Sequence, residues 1–356
     1  MNVWGSRLKI SIFGESHGVG IGVVVDGIPS GLRVDEDFIR HEMQRRAPGR
    51  DKLSTPRKEG DEVEILSGVV DGFTTGTPIC GIIRNTNTRS RDYHKELIRP
   101  GHADFTGFMR YGKTHDFRGG GHFSGRITAP LVFAGALAKL ALRERGVCVG
   151  AHIKSIGDVS EASFLDCDVD EKMLAGLCEK SFPVLNDELG EKMQKVITDA
   201  AADKNSAGGV IECAAIGMKA GVGAPFFAPL ESLISSIMFA IPAVKGIEFG
   251  RGFELTHMTG FDANDEFYTD GERIMTRTNN NGGINGGISN GMPIVFSVAV
   301  KPTPSIAKKQ NTVDMDKMEN TEIEIQGRHD PCIVQRAAVV VESGAAIALL
   351  EAILFD

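Results

Sequence analysis

Four short segments of this chain place histidine, arginine, lysine or serine among glycines and prolines, where packing alone asks for no such side chain. The first is Gly14-Glu15-Ser16-His17-Gly18, directly after the strand-like run LKISIF. A histidine held in a tight turn at a strand end can exchange a proton near neutral pH, its ordinary pKa being about 6.5. The same turn would also serve as a plain surface connection. The second segment is Arg99-Pro100-Gly101-His102-Ala103-Asp104, followed by Arg110-Tyr111-Gly112-Lys113. Pro and Gly force a turn, so Arg99 and His102 are presented from a loop, where a guanidinium can fork onto phosphate or carboxylate oxygens or enter an ordinary ion pair. The third, Arg118-Gly119-Gly120-Gly121-His122-Phe123-Ser124-Gly125-Arg126, leads into an apolar helical pattern. Backbone N–H groups of a glycine-rich helix start attract anions, and Ser124 can be both cap and ligand. No Gly-Lys-Ser/Thr follows and GxGxxG is absent, which excludes a P-loop and a dinucleotide fingerprint. The fourth pairs Lys301-Pro302-Thr303-Pro304-Ser305 with Gly327-Arg328-His329-Asp330-Pro331-Cys332, which opens the last helical pattern. Arg328 stands where a helix dipole favours an anion, and Asp330 could cap that helix.

The elements that must position these segments are mixed. β-Branched runs bounded by Gly or Pro predict strands at Ile21 to Val25, Val63 to Val70, Ile79 to Ile83, Val210 to Ile216 and Pro293 to Val300. Helical spacing predicts helices over Asp35 to Arg46, Thr128 to Arg145, Asp187 to Ala202, Leu230 to Ala240 and Ile333 to Leu354. Strand and helix do not alternate regularly, so antiparallel sheets with helices packed on or between them fit better than a doubly wound parallel sheet. The helical runs ITAPLVFAGALAKLAL and CIVQRAAVVVESGAAIALLEAIL have few polar interruptions and must be buried on most sides. The expected fold class is α+β, a layered β/α/β sandwich, carried by a single domain across residues 1–356. Gly72-x-x-x-Gly76-x-Pro78-Ile79 recurs as Gly287-x-x-x-Gly291-x-Pro293-Ile294, and GIPSGL at Gly27 as GMKAGV at Gly217. These echoes suggest an internal duplication with halves about 1–150 and 205–356; chance recurrence of Gly/Pro turns is the alternative.

A net charge of −8 argues against a general grip on nucleic acid or anionic membranes, so any anionic ligand must meet local basic clusters. The six cysteines contain no CxxC pair, which points to reduced, buried thiols and no metal site. No signal-like N-terminus and no uninterrupted 18-residue apolar run are present, so the expected compartment is the cytoplasm.

In order and spacing the four segments resemble the chorismate synthase family, and VVDGIPSGL, Arg45-Arg46, VEILSGVVDGFTTGTPI, PAVKGIEFG and GGINGGISNG resemble its neighbouring segments. The resemblance implies a homotetramer that binds reduced FMN beneath 5-enolpyruvylshikimate 3-phosphate and removes phosphate to give chorismate without net redox change. It implies His17, His102 and Asp330 as catalytic residues. Flavin contacts would come from His122, Phe123, Ser124, Pro242, Ala243, Gly286, Lys301, Pro302, Thr303, Pro304, Ser305 and Arg328. Substrate contacts would come from Arg46, Lys52, Arg99, Ser124, Arg126 and Arg328. Two carboxylates and a phosphate independently require several fixed cations. Several positions depart from the family pattern, Gly125 and Ile127 of the glycine-rich loop, where Ala and Glu are usual, among them. His122-Phe123 replaces a usual Arg-Ser, Lys52 a frequent arginine, and Pro242 a common asparagine. No adenine-ribose site is recognisable, so an external reductant rather than NADPH bound by this chain is expected to supply flavin electrons. The segment from Pro48 to Asp61, rich in charge and turn formers, is expected to be mobile until ligands arrive. The competing readings are an NAD(P)H-dependent flavin oxidoreductase and a non-enzymatic phospholigand-binding protein.

Overall fold

Alternate residues of Gly20–Asp26, namely Ile21, Val23 and Val25, are β-branched and buried, and they line the inner face of a four-stranded sheet. The structure, a computed structural model, describes residues 2–49, 60–86, 96–325 and 329–355. The first sheet runs Lys9–Gly14, Gly20–Asp26, Ile79–Arg84, Val63–Ser67, each neighbouring pair antiparallel. The second runs Val244–Phe249, Ile294–Val300, Gly209–Ile216, Cys148–Ile156, Val159–Ser160, again antiparallel throughout.

Two helices fill the space between. Thr128–Arg143 packs on the first sheet and Val334–Phe355 on the second, and the two pack against each other, which is the expected β/α/β layering. Close approach depends on missing side chains. A Cβ on Gly135 would stand 2.2 Å from that of Ser343 where the helices meet, and one on Gly81 would stand 2.5 Å from the Phe133 ring. Val334–Phe355, and Thr128–Arg143 taken with the turn from Gly125 that leads into it, are long and apolar enough to cross a membrane by length and composition, yet they are interior here. Of the cysteines, Cys213 and Cys332 are buried and the other four only half-buried, less hidden than expected.

Helix Glu36–Arg46, capped by Asp35, whose side chain accepts from the Phe38 N–H, turns two consecutive arginines to different tasks. Arg45 enters a buried cluster between helices. It donates to Glu42 (2.8 Å) and to both oxygens of Glu342 (2.6 and 2.7 Å), while Lys139 bridges the same two carboxylates at 2.5 and 2.6 Å. Burial would raise the Glu42 carboxyl, but Lys139 and Arg45 outweigh it and hold it at about 2. In the second sheet burial likewise opposes, and His152 and Lys154 hold Glu212 at about 2. Both carboxylates thus contribute stability in full above their unfolded value near 4.5 and lose it as pH falls through about 2. Unfolding free energy measured from pH 5 downward should decline across that window; a flat profile would contradict this. Glu342→Ala leaves Arg45 and Lys139 to share Glu42, and should cost about 3–5 kcal/mol in denaturant titration. A loss below about 1 kcal/mol would mean that the cluster relaxes without it.

The two sheets follow one path. In each, two paired strands are followed by a helix, an edge strand, an inner strand and a central helix; Leu230–Met238 takes the place of Glu36–Arg46, and the second path adds Val159–Ser160, Glu171–Glu179 and Asp187–Ala202 between its first two strands. The turn after the inner strand is built by the same bonds twice. The Thr74 hydroxyl donates to the Pro29 carbonyl (2.6 Å) and accepts from the Leu32 N–H (3.0 Å). The Ser289 hydroxyl donates to the Lys219 carbonyl (2.6 Å) and accepts from the Val222 N–H (3.0 Å). In the second sheet Cys148–Ile156 stands where Lys9–Gly14 does in the first, a strand that the alternation pattern does not predict because His152 and Lys154 interrupt it. The predicted strand Val63 to Val70 divides at Gly68, whose φ of +81° turns Val69–Val70 to pair with Phe73–Thr74 instead.

At the other end of the core, the Glu351 carboxylate near the end of the last helix accepts from the backbone N–H groups of Ser6 (2.7 Å), Arg7 and Leu8 (2.5 Å). Of the segment from Pro48 to Asp61, residues 50–59 lie outside the described residues.

Candidate active site

Gly14 closes the turn after the first strand at φ +95°, where a Cβ would lie 2.4 Å from the Gly20 carbonyl, and the turn carries His17 outward. His17 meets the triple glycine. A Cβ on Gly119 would stand 2.5 Å from His17 Nε2, and one on Gly120 would stand 3.2 Å from His102 Nε2. Both glycines are left-handed, at φ +60° and +84°, so only glycine threads between the two imidazoles without strain. The loop is tied down by the Ser16 N–H donating to the Gly121 carbonyl (3.1 Å) and by His122 Nδ1 against the Gly14 carbonyl (2.8 Å). Phe123 faces away onto helix Asp104–Tyr111, 6.2 Å from the Tyr111 ring. Ser124 caps the short turn Gly125–Ile127 ahead of the apolar helix.

Asp104 fixes His102. One carboxylate oxygen lies 2.8 Å from Nδ1 and also accepts from Arg99 (2.7 Å), while the other accepts from Arg99 Nε (2.8 Å). Burial opposes ionisation of Asp104, but bonds from Arg99 and His102 hold it well below the usual carboxylate range. With Nδ1 engaged, Nε2 is the nitrogen turned to the glycine loop. Lys301 then joins this loop to the second half: Nζ donates to the Gly101 carbonyl (2.5 Å) and its backbone N–H to Ala243 (3.0 Å).

On the opposite side, Arg126 Nε donates to Asn85 (2.7 Å), whose amide donates to the Glu15 and Gly18 carbonyls (both 3.0 Å). Arg126 Nη1 also donates to Asp61 Oδ1 (2.6 Å), and Arg46 Nε to Asp61 Oδ2 (2.9 Å). Arg336 Nε donates to the Arg46 carbonyl (2.9 Å) and Nη1 to Asp330 Oδ2 (2.5 Å). One chain of contacts therefore runs from the His17 turn to Asp330. Asp330 is no cap for the last helix: that helix begins at Val334, and the carboxylate faces Arg336. No group of three or more metal-type ligands occurs among the described residues.

The family model for chorismate synthase matches residues 8–354. The chain belongs to the chorismate synthase family. It is 45% identical to a chorismate synthase of Dehalococcoides mccartyi over 98% of this chain and 96% of that protein. To the chorismate synthase of Archaeoglobus fulgidus it is 47% identical, over 100% and 98%. A crystal structure of chorismate synthase superposes with a TM-score of 0.78 at 31% identity, covering 99% of this chain and 93% of that one. The family's reaction class, a carbon–oxygen lyase of aromatic biosynthesis by the shikimate route, is accordingly the chain's own.

Of the residues that the chorismate synthase resemblance singles out, His17, His102 and Ser124 border the glycine loop, Lys301 reaches Gly101 in the His102 turn, and Arg46, Arg126 and Asp330 share the Asp61–Arg336 chain. Pro304 packs by Gly101, and Ser206 Oγ donates to the Thr303 carbonyl. Pro242 precedes Ala243, whose φ is +75°. Gly286 turns the hairpin of Ile284–Asn285 and Ile288–Ser289, which leans on residues 223 and 230. Lys52 and Arg328 lie outside the described residues. Asp61, Asn85 and Arg336 are not expected from sequence; each is a partner of a motif residue elsewhere in the chain, and such pairing gives no local signal.

Proposed function

We propose that the chain converts 5-enolpyruvylshikimate 3-phosphate to chorismate and inorganic phosphate by 1,4-elimination, with reduced FMN present. The observation that carries the reading is the pair of imidazoles set on either side of Gly119–Gly120 with a row of buried arginines behind them. Two buried hydroxyls, Ser16 Oγ and Thr303 Oγ1, have no partner within the described protein and suit a polar cofactor. Ser16, Ser124, Ala243 and Lys301 to Ser305 would hold it. Reduced FMN, when bound, would supply electron density that helps expel phosphate, with no net redox change.

The chain's own residues do the rest. Arg46 and Arg126 bind and orient the substrate's anionic groups, and Arg99 supports His102 through Asp104. His102 Nε2 donates towards the departing phosphate, stabilising its charge as the carbon–oxygen bond breaks. His17 holds a proton next to the cofactor. Asp330 takes up the proton from the breaking carbon–hydrogen bond. A homotetramer in which this site recurs in every subunit belongs to the same reading.

Anaerobic incubation of the chain with substrate and dithionite-reduced FMN should release chorismate and phosphate in equal amounts, with neither formed when the flavin is oxidised. Stoichiometric nicotinamide oxidation instead would favour a flavin oxidoreductase. NADPH and FMN mixed with the chain under argon should leave the flavin spectrum oxidised; steady bleaching at the rate of turnover would show that the chain reduces its own cofactor.

A further inference from the structure

Asp61 is the unassigned residue on which the arginines of the site converge. Its carboxylate is divided: Oδ1 accepts from Arg126 at 2.6 Å, and Oδ2 accepts from Arg46 Nε at 2.9 Å and from a terminal nitrogen of the same guanidinium. All three side chains are almost sealed from solvent, Asp61 at 0% exposure, Arg46 at 3% and Arg126 at 4%. Burial raises the Asp61 carboxyl, and the two arginines outweigh it and hold it below the usual range. The backbone is unusual too. Asp61 has φ +48°, a left-handed conformation that a residue with a Cβ rarely adopts without a local reason.

Two guanidiniums on the two oxygens of one carboxylate are brought side by side, closer than like charges settle alone. Each is also tied elsewhere: Arg126 through Asn85 to the turn that carries His17, and Arg46 through its carbonyl to Arg336 and so to Asp330. A shift of either arginine therefore moves one of the proton-handling groups. Resting on the reading that Arg46 and Arg126 bind the substrate's anions, we propose that Asp61 is a positioning residue, an internal counter-ion that holds the two arginines as one double fork for a phosphate or carboxylate group. The opposite role, a built-in competitor that the substrate must displace, predicts the opposite sign of effect.

The test compares the full chain with Asp61→Asn and Asp61→Gly. Asn keeps the shape and removes the charge; Gly also relieves the left-handed backbone, and because both leave two buried guanidiniums without their counter-ion, binding and turnover are measured well below each variant's melting temperature. Inorganic phosphate affinity is measured by isothermal titration, and KM and kcat for the substrate with pre-reduced FMN. Both variants should bind phosphate at least tenfold more weakly and raise KM at least tenfold, with a smaller change in kcat, while still melting in one cooperative transition above the assay temperature. Unchanged affinity overturns the proposal, and tighter phosphate binding overturns it in favour of the competitor. A parent chain that binds phosphate, weakened by both substitutions, yet makes no chorismate would remove the functional reading and leave Asp61 in place.

Discussion

Asp330→Asn should keep the fold and the affinity for FMN while turning over about 10²- to 10⁴-fold more slowly, the range that a positioned general base contributes. The substitution changes little besides the charge. Asp330 faces Arg336 at 2.5 Å, and an asparagine oxygen can still accept from that guanidinium. Because Asp330 lies ahead of the helix rather than capping it, no helix-start hydrogen bond of the kind worth about 0.5–2 kcal/mol is at stake. The measurement is single-turnover product formation, anaerobic, with substrate and pre-reduced FMN saturating, beside a thermal melt. Turnover within threefold of the parent would leave Asp330 as a structural partner of Arg336 and nothing more.

His102→Ala carries a similar expectation, a loss of about 10²- to 10⁴-fold in turnover at saturation. Here the neighbours make the test specific. Asp104 holds Nδ1, so Asp104→Asn should lower turnover by a smaller factor than His102→Ala, because an amide still orients the ring but no longer supplies the charge. His17→Ala should also slow turnover at least tenfold, since its ring borders the same glycines. If His102→Ala melts at the parent temperature but turns over at the parent rate, the imidazole only fills space beside Gly120.

The layering was readable because it depends on local pattern. Alternating β-branched residues gave the inner strands, and the nearly unbroken apolar runs gave the two central helices, since a helix apolar all round can only be interior. The matched turns at Gly27 and Gly217 were readable for the same reason: φ of +101° and +82° favours glycine, and glycine is visible. Strand Cys148–Ile156 was hidden because its interior carries His152, whose partners Glu161 and Glu212 lie 9 and 60 positions away. The site followed the same division. His17, His102 and the triple glycine announced themselves by their flanking residues. Asp61 and Arg336 did not, because what defines them is a partner 15, 65 or 290 positions distant, and separation of that kind leaves no trace in spacing.

The Glu351 clamp bears on how the protein is made. Ser6, Arg7 and Leu8 lead directly into the first strand of the first sheet, yet the carboxylate that satisfies their N–H groups is 343 positions later than Leu8. At about 5–20 residues per second, a ribosome needs roughly 17–70 s to cover that interval. Until its end the first sheet lacks its clamp, and helix Thr128–Arg143, which covers the inner face of Ile21, Val23, Val25 and Ile79, lacks the second central helix on its far side. A nascent chain in that condition presents apolar helix surface of the kind that holdase chaperones bind.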